Sequence, residues 1–430
     1  MVVTGRFVGL LLLGLVPILL RPQATTAWLW LLVCGLVWLA DLLLVGRTRG
    51  VGVERGATAQ VRLGESGRST VMVTNTGSRT LRGWVRDAWQ PSAGAQEPRH
   101  RLRVPPGERR SWSTTLTPTR RGDRQADRVT LRLVGPLGIG GRQRSFLAPA
   151  HIRALPPFHS RRHLPSRLAM LRQLDGRSAV RVRGQGTEFD SLRDYVEGDD
   201  VRSIDWRASA RRRAVVVRTW QPEKDRQVIL VLDTSRTSAG RVDDVPRLDS
   251  AMDAALLLTA LASRAGDRVD LVAGDRQVHR RVVGAPRSTV LSDVVTAMAP
   301  LEPALVEADW GLLASSAAVL SRRRALVVLL TPLEPAAIEE SLLPPLSMLT
   351  RRHRVVLASV ADPELSRMRE RRDSTSEVYA AAAAERTTAL RQRTAAALER
   401  MGVHVLDADA DRLPVALADH YLLLKSRGLL

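Results

Sequence analysis

The chain has 430 residues, 65 of them basic and 44 acidic, a formal net charge of +21 and a single cysteine. One cysteine excludes disulfides, multi-cysteine zinc sites and thiol-relay chemistry, and the length suggests two or three domains. Neither of the two lysines, Lys224 and Lys425, follows a glycine, so the sequence lacks the Gly-Lys-Ser/Thr of a P-loop nucleotide site.

The surplus charge is confined to the N-terminal half. Residues 1–50 carry +3, residues 51–150 carry +11 and residues 151–222 carry +7, whereas residues 223–430 are neutral. Such an excess suits either anionic lipid headgroups or nucleic acid. Because aromatic residues make up only 4% of the chain and no basic run is interleaved with stacking side chains, we favour proximity to a membrane.

Two apolar runs open the chain, Phe7–Leu20 and Trp28–Val45. The second is long enough to cross a bilayer, and the first is long enough if it begins near Val2. We therefore predict a transmembrane hairpin, with both ends in the cytoplasm because arginines precede the first run and follow the second. The alternative that the first run is a cleaved signal peptide stays open, and it also leaves the bulk of the chain cytoplasmic.

A single carboxylate interrupts the second run near its end. A charged group inside a membrane is costly and is often functional. We interpret Asp41 instead as an interfacial residue with Arg47 or Arg49 beside it.

Residues 51–150 alternate polar and apolar side chains in short stretches separated by turn residues. The predicted strands cover residues 59–63, 69–74, 83–89, 111–116 and 128–134. Five strands at this spacing, with no helical period, predict a small antiparallel β-sandwich.

Residues 151–222 show no clean period and are dense in charges of both signs. We expect their arginines and carboxylates to pair into a structural lattice, because arginine binds carboxylates in a directional, bidentate way. The expected pairs join Arg193, Arg202, Arg207 and Arg211 to Glu188, Asp190, Asp199, Asp200 and Asp205. The Gly-x-Gly at the start of this stretch lacks the third glycine of a dinucleotide site, so nucleotide binding is disfavoured.

The same stretch resembles the signature of domain-of-unknown-function family 58. The matching residues are Gly184, Gly186, Glu188, Phe189, Arg193, Tyr195, Gly198, Asp199, Asp200, Arg202, Asp205, Trp206, Arg207 and Arg211. The resemblance implies a bacterial, membrane-anchored cytoplasmic protein that joins a sandwich, this motif and a von Willebrand A-like domain. It also implies a MoxR-type AAA+ ATPase as partner, often alongside transglutaminase-like membrane proteins, and it implies no defined biochemical activity.

From Gln227 onward, buried strands alternate with helices. The predicted strands cover 228–233, 269–273, 278–283, 325–330, 354–360 and 403–406, and the predicted helices 247–265, 288–298, 310–321, 376–401 and 414–425. This alternation predicts a parallel, doubly wound α/β domain, which binds ligands at the carboxyl ends of its strands.

Three oxygen-bearing residues, Asp233, Ser235 and Thr237, follow the first of these strands. Their spacing suits a hard cation such as Mg²⁺, the one cofactor that the residues suggest. The group resembles the metal-ion-dependent adhesion site of von Willebrand A domains, and Thr289 is the candidate for the threonine of that site. Pro332 stands where the resemblance implies an aspartate, so the site is incomplete, and the alternative is that Asp233 only braces its loop.

We find no nucleophile elbow and no metalloprotease helix in the sequence. The leading hypothesis is a non-enzymatic adaptor in the inner (plasma) membrane whose von Willebrand A-like domain binds a protein partner on the cytoplasmic face. No nucleic acid or small-molecule substrate is expected. The rival hypotheses are an Mg²⁺-dependent protein-binding module and a membrane-associated nucleic-acid-binding protein. The expected segments are a hairpin (1–50), a sandwich (51–150), a connecting motif block (151–222) and the α/β domain (223–430).

Overall fold

A computed structural model describes residues 2–46, 48–56, 60–181, 188–221 and 226–430. Their contacts divide the chain into two compact units, Met1–Leu155 and Pro156–Leu430. Both units contain β-sheets, and antiparallel strand pairs outnumber parallel ones. The finer division into four segments stays a prediction.

The first unit opens with a short strand and three apolar helices. Their bounds are β1 (Val2–Val3), α1 (Gly5–Leu13), α2 (Leu15–Leu20) and α3 (Ala24–Leu44). Within the described chain, α3 is the one helix long and apolar enough to span a membrane, whereas residues 5–20 are shorter. The first run does not extend to Val2 as a helix because Val2 and Val3 pair with β-strand residues Gly141 and Gly140.

The rest of the first unit consists of strands. Their bounds are β2 (Val51–Arg55), β3 (Val61–Arg62), β4 (Gly67–Asn75), β5 (Leu81–Asp87), β6 (Ala95–Gln96), β7 (Arg99–Val104), β8 (Arg109–Leu116), β9 (Gly122–Val134) and β10 (Gly140–Leu155). They form two sheets, β1-β10-β9-β5-β7 with β3 beside β10, and β2-β4-β8-β6. Every pair is antiparallel except β3–β10.

The two sheets of the first unit share one apolar core. Val71 and Val73 from β4 lie in it with Val85 from β5 and Leu131 from β9, and all four side chains are buried. The alternation along each strand directs every second side chain into this layer, as in a sandwich. The predicted antiparallel sheets are therefore present, with β2, β6, β7 and β10 in addition to the predicted strands.

Asp41 joins the end of α3 to the turn between β9 and β10. Its carboxylate is fully buried and accepts hydrogen bonds from the backbone N–H groups of Leu137 (2.9 Å), Ile139 (2.8 Å) and Gly140 (2.8 Å). The turn also receives the other end of the helical segment, because β1 pairs with Gly140 and Gly141. Arg47 and the side chain of Arg49, the expected neighbours of Asp41, lie outside the part of the chain that the structure describes; the partners that it shows are backbone amides, which stabilise a buried carboxylate by hydrogen bonding.

The second unit contains the remaining elements. The helices are α4 (Leu164–Arg181), α5 (Trp206–Arg212), α6 (Arg236–Ala239), α7 (Arg247–Arg264), α8 (Val290–Met298), α9 (Trp310–Leu320), α10 (Pro335–Ala337), α11 (Leu343–Thr350), α12 (Pro363–Glu370), α13 (Thr375–Arg400) and α14 (Leu413–Ser426). The strands are β11 (Glu188–Asp194), β12 (Val216–Gln221), β13 (Gln227–Asp233), β14 (Arg241–Val242), β15 (Val245–Pro246), β16 (Arg268–Gly274), β17 (Val278–Val282), β18 (Leu326–Leu330), β19 (Arg354–Val360) and β20 (Val403–Ala408).

A six-stranded sheet in the order β17-β16-β13-β18-β19-β20 forms the centre of this unit. Five strands are parallel, but β17 runs antiparallel to β16. The prediction of an all-parallel sheet is wrong at this strand, because only residues 275–277 separate β16 from β17. A crossover to a parallel neighbour needs a dozen residues or more.

Helices cover both faces of the sheet. On one face, α9, α11 and α13 contribute Leu313, Leu346 and Leu398 to a buried cluster with Ile229 and Leu357 of the strands. On the other, α7 packs on β13 and against α14. Near-continuous burial along β13, β18 and β19 follows from this double cover.

Two histidine rings stack between β20 and α14, and they predict a pH-dependent stability. The centroids of His404 and His420 lie 4.0 Å apart. Burial, aided by the charges of His404 and Arg354, lowers the pKa of His420 from 6.5 to about 4. Between pH 6.5 and about pH 4, the unfolded chain therefore binds a proton at His420 that the folded chain does not bind. We expect the unfolding temperature to fall as the pH drops from 6.5 towards 4, and His420→Phe to flatten that fall.

Thermal unfolding followed by circular dichroism at a series of pH values measures this effect. His163→Phe, which changes a histidine outside the stacked pair, is the control. An unfolding temperature of His420→Phe that follows the wild-type pH profile throughout would contradict the expectation.

Candidate functional site

The candidate site lies at the carboxyl ends of the central strands. The chain leaves β13 to form β16 on one side and later returns to form β18 on the other. The ends of β13 and β18 therefore flank the point where the strand order reverses, which is where open α/β sheets bind ligands. Asp233 ends β13, and Thr331 follows β18 directly.

A hydrogen-bond network closes around the Asp233 carboxylate. Its Oδ1 accepts from the backbone N–H of Ser235 (2.8 Å). Its Oδ2 accepts from the hydroxyls of Thr331 (2.7 Å) and Thr237 (3.0 Å), and the hydroxyls of Ser235 and Thr237 lie 3.1 Å apart. The three residues predicted from their spacing are thus brought together, and the structure adds Thr331.

Thr331 is the residue that sequence reasoning missed. It reaches Asp233 because β13 and β18 are paired neighbours, with Leu232 opposite Leu330. The available signal was a hydroxyl directly after the second central strand. Thr289 does not join this network in the described contacts: it precedes α8, is exposed, and its hydroxyl donates to Asp293 (2.9 Å).

Glu334 is the carboxylate that could replace the missing aspartate if its loop rearranged. It is held elsewhere: Arg247 donates to it at 2.9 Å. Arg391, buried on α13, donates from Nη1 to the carbonyl of Leu333 (3.0 Å) and from Nη2 to both carboxylate oxygens of Asp407 (2.8 and 2.9 Å). These contacts hold the loop after β18 in its observed conformation and so oppose such a rearrangement.

The donor set around Asp233 does not suit Mg²⁺ well. Magnesium demands octahedral geometry and is usually held by one or two carboxylates with water or phosphate oxygens. Here one carboxylate is present, both of its oxygens accept hydrogen bonds from the protein, and Pro332 contributes no ligand. No group of three metal-ligating His, Cys, Asp or Glu side chains was found in the part of the chain that the structure describes.

A second loop, residues 301–309, is hydrogen-bonded to residues 234–237, the loop directly after Asp233, which we call the Asp233 loop. The N–H of Ala304 donates to the carbonyl of Thr234, and the N–H of Arg236 donates to the carbonyl of Val306, both at 2.8 Å. Between these two bonds the side chain of Leu305 is 82% exposed. An exposed ion pair, Arg236–Glu307 at 2.6 Å, lies beside it. The backbone bonds fix the loop on which this large apolar side chain is exposed to solvent.

A buried acid and a histidine lie next to the Asp233 loop but do not form a catalytic relay. Asp275 accepts from the hydroxyl of Thr234 (2.9 Å) and is 2.7 Å from Nε2 of His279. Burial raises the pKa of Asp275, but the hydrogen bonds from His279 and Thr234 outweigh it, so the net pKa is lowered. A relay needs the histidine between the acid and the hydroxyl. Here both contact the same carboxylate oxygen, so the geometry braces the loop.

The family-type motif forms a hairpin of β11 and β12 with a helical excursion. Gly184 and Gly186 lie outside the described residues, and Glu188 and Phe189 lie at the start of β11. Gly198 takes a left-handed conformation with φ of +106°. The N–H of Tyr195 donates to Val215 at 2.8 Å, extending the hairpin.

Two ion pairs and two helix caps hold this excursion. Arg193 binds Asp199 with two bonds of 2.5 and 2.7 Å, which lower the pKa of that acid. Asp205 caps α5 by accepting from Ala208 and Arg207, and it also binds Arg218, so its pKa is lowered too.

The side chains of Glu188 and Asp190 lie outside the described part of the expected salt-bridge lattice, and the described part contains fewer pairs than predicted. Among the side chains that the structure describes, only the Arg193–Asp199 pair forms as expected. Asp200 caps a short 3₁₀ turn at the N–H of Arg202 (2.9 Å). The side chains of Arg202, Arg207 and Arg211 form no ion pair with a described carboxylate and are exposed. Caps satisfy these acids locally, which the charge pattern alone could not distinguish from pairing.

The comparisons with known proteins concern mainly the second unit. The family model described as "Protein of unknown function DUF58" matches residues 191–408, half of the chain. Uncharacterized proteins of Mycobacterium tuberculosis (strain ATCC 25618 / H37Rv) and Mycobacterium bovis (strain ATCC BAA-935 / AF2122/97) are each 28% identical over 187 residues. These matches cover 42% of this chain and 57% of each relative, so the chain spans little more than half of their length.

The solved structures show only partial likeness. The conserved hypothetical protein BatB from Bacteroides thetaiotaomicron is 12% identical, with a TM-score of 0.32 over 47% of this chain and 99% of that chain. The PapD-like domain 7 of human CEP192 is 11% identical, with a TM-score of 0.17 over 24% and 84%. Scores this low assign no fold to either unit.

Proposed function

This chain belongs to the DUF58 family of proteins of unknown function, and on that premise we propose that it is a non-enzymatic, membrane-anchored adaptor that binds a protein partner. The binding edge is the pair of loops at the carboxyl ends of β13 and β18. By the family resemblance, the partner is a MoxR-type AAA+ ATPase.

The proposed anchor is the helical segment before the sandwich. Helix α3 has the length and composition of a membrane span, and residues 5–20 add a shorter apolar segment that packs against it. Arginines lie outside the apolar runs at both ends, so the positive-inside rule puts the remainder of the chain in the cytoplasm, at the inner (plasma) membrane.

The proposed identity of the second unit is a von Willebrand A-like domain. Doubly wound sheets bind ligands at the point where the strand order reverses. Asp233, Ser235 and Thr237 converge at that point of this sheet, and their spacing resembles that of a metal-ion-dependent adhesion site. Since the carboxylate is satisfied by protein hydrogen bonds, we propose that the contact with the partner needs no metal at this point.

Leu305 is the observation that carries the proposal. An exposed apolar side chain on a loop whose backbone is already hydrogen-bonded can anchor a protein interface, because little backbone freedom is lost when the side chain becomes buried. The loop of Leu305 is bonded on both sides to the Asp233 loop, and the exposed Arg236–Glu307 pair supplies a polar rim. A polar edge without such an apolar side chain would have no comparable preference for a protein partner over water.

Leu305→Asp tests the proposal. We expect this variant to weaken binding of the purified MoxR-type ATPase about 30-fold, as for the loss of an interface anchor. The measurement is the affinity of the purified ATPase for the full chain in detergent micelles, in a surface-based binding assay. Val319→Asp is the matched control, since Val319 is 81% exposed on α9. Equal losses in both variants, or no binding by the wild type, would refute the proposed contact.

Calorimetry separates this proposal from the Mg²⁺-dependent alternative. Titrating Mg²⁺ into the full chain alone is expected to give no saturable heat up to millimolar concentration. A saturable heat that disappears in Asp233→Ala would favour the metal-dependent module. Leu305 would then be only part of the contact.

A further inference from the structure

The helical excursion of the motif carries an exposed apolar surface that the loops at Asp233 do not include. Trp206 is 68% exposed, and Val196 and Val201 are each 61% exposed. Val215, at the base of the excursion, is also exposed. We call these four residues the Trp206 surface. A tryptophan this exposed is unusual, because its large apolar area favours burial.

The fold leaves the side chain of Trp206 exposed. On α5, Ser209 is buried: its hydroxyl donates to the carbonyl of Asp205 (2.7 Å) and accepts from the N–H of Val216 (3.0 Å). Helical spacing places Arg207 and Arg211 on the side away from Ser209, whereas Trp206, three residues before Ser209, lies nearer the buried side of this short helix and is still 68% exposed. The Asp205 cap and its pair with Arg218 fix the start of the helix directly before Trp206. The backbone that carries the exposed Trp206 is therefore fixed by the fold.

The charges around Trp206 are unequally satisfied. Arg193 and Arg218 are neutralised by Asp199 and Asp205. In contrast, Arg207 and the run Arg211–Arg213 are exposed and form no ion pair with any carboxylate that the structure describes. The excursion thus presents exposed apolar side chains together with four arginines that pair with none of the carboxylates described in the structure.

We propose that the Trp206 surface binds an acidic, amphipathic segment of a protein partner. Trp206 inserts among the apolar side chains of that segment, while Arg207 and the run Arg211–Arg213 face its carboxylates. Tryptophan and arginine are the residues most enriched at the energetic centres of protein interfaces. Arginine also binds carboxylates bidentately, which gives the contact a direction.

An anionic membrane is a poorer match for this surface. Asp194, Glu197 and Asp200 are exposed on the same excursion. A uniformly negative bilayer would repel these acids across its whole surface, whereas an acidic protein segment can place its carboxylates beside Arg207 and Arg211 and away from these acids. The inference does not depend on the proposed contact at Leu305, because it uses other residues.

The experiment uses the full chain in nanodiscs of zwitterionic phosphatidylcholine. The probe is a fluorescent amphipathic helical peptide with glutamates on its polar face, and a second peptide carries glutamine in their place. We expect fluorescence anisotropy to report binding of the glutamate peptide, weakened about 30-fold by Trp206→Ala and by at least about tenfold by the double variant Arg207→Glu/Arg211→Glu.

Matched variants on α13 control for general changes in apolar area and charge. Tyr379→Ala removes an exposed aromatic ring, and Arg386→Glu/Arg393→Glu reverses two exposed arginines. Both are expected to bind as the wild type does. Unfolding midpoints equal to the wild type confirm that the variants at 206, 207 and 211 are folded, as their exposure leads us to expect.

Three results would overturn the proposal. The first is equal binding of the glutamine peptide, and the second is equal loss in the α13 variants. The third is Trp206-dependent binding to vesicles containing phosphatidylglycerol, or to single-stranded RNA, without binding of the glutamate peptide. Loss of peptide binding with intact ATPase binding separates this surface from the contact at Leu305.

Discussion

Replacing Asp41 with alanine is expected to destabilise the N-terminal unit by about 3 kcal/mol or more. The substitution leaves the N–H groups of Leu137, Ile139 and Gly140 without their acceptor. A buried donor without a partner costs about 1–3 kcal/mol, and partial relaxation of the turn recovers some of the total. Pulse proteolysis of the full chain in urea, with fragments mapped to residues 1–155, measures the change.

Asp127→Ala is the control for Asp41→Ala. Asp127 is exposed on β9, so its removal is expected to change the free energy of unfolding by less than about 0.5 kcal/mol. Asp41→Asn, which keeps one acceptor oxygen, should fall between the two. If Asp41→Ala were no more susceptible to protease than Asp127→Ala, the bond between α3 and the β9–β10 turn would not exist in solution.

Lys425→Met is expected to cost the second unit about 3–5 kcal/mol. The ammonium of Lys425 contacts the buried carboxylate of Asp267 at 2.9 Å, and both side chains are under 10% exposed. The hydroxyl of Tyr421 donates to the same carboxylate at 2.5 Å. Removing one partner of a buried pair leaves an uncompensated charge. Urea unfolding followed by circular dichroism measures the loss.

Two further variants identify the cause of that loss. Lys425→Met/Asp267→Leu removes both charges and is expected to recover part of the stability, because no counter-charge is then needed but the buried Tyr421 hydroxyl loses its acceptor. Arg369→Ala breaks an exposed pair with Glu385 and should cost less than about 1 kcal/mol. A double variant as unstable as Lys425→Met would mean that lost packing, and not the unpaired charge, accounts for the effect.

The central sheet was predictable where burial is continuous. The strands β13, β18 and β19 are apolar runs buried on both faces, and the predicted and observed bounds agree within a residue or two. The strand β7 was not predicted because it reads Arg-His-Arg-Leu-Arg-Val and buries only Leu102 and Val104. A half-buried strand with arginines on its solvent face gives too weak an alternation to detect.

The residues of the candidate site also divide into those that the sequence predicts and those that only the tertiary structure shows. Asp233, Ser235 and Thr237 could be found from spacing because they lie on one short loop. Thr331 depends on strand pairing, which is a tertiary property. Leu305 could not be found, because a leucine in a sequence indicates burial by default. Its exposure is a property of the folded loop, whose backbone is fixed by two hydrogen bonds to the Asp233 loop.

The attachment of both ends of the helical segment to the β9–β10 turn has a mechanical consequence. A domain on a flexible tether samples many orientations above a bilayer, and a partner must restrict that freedom when it binds. Here β1 and Asp41 tie both ends of the segment to one turn. If α3 spans the membrane as proposed, the sandwich follows the tilt of the helix and keeps one side towards the lipid. Much of its rotational entropy is then already lost before any partner arrives.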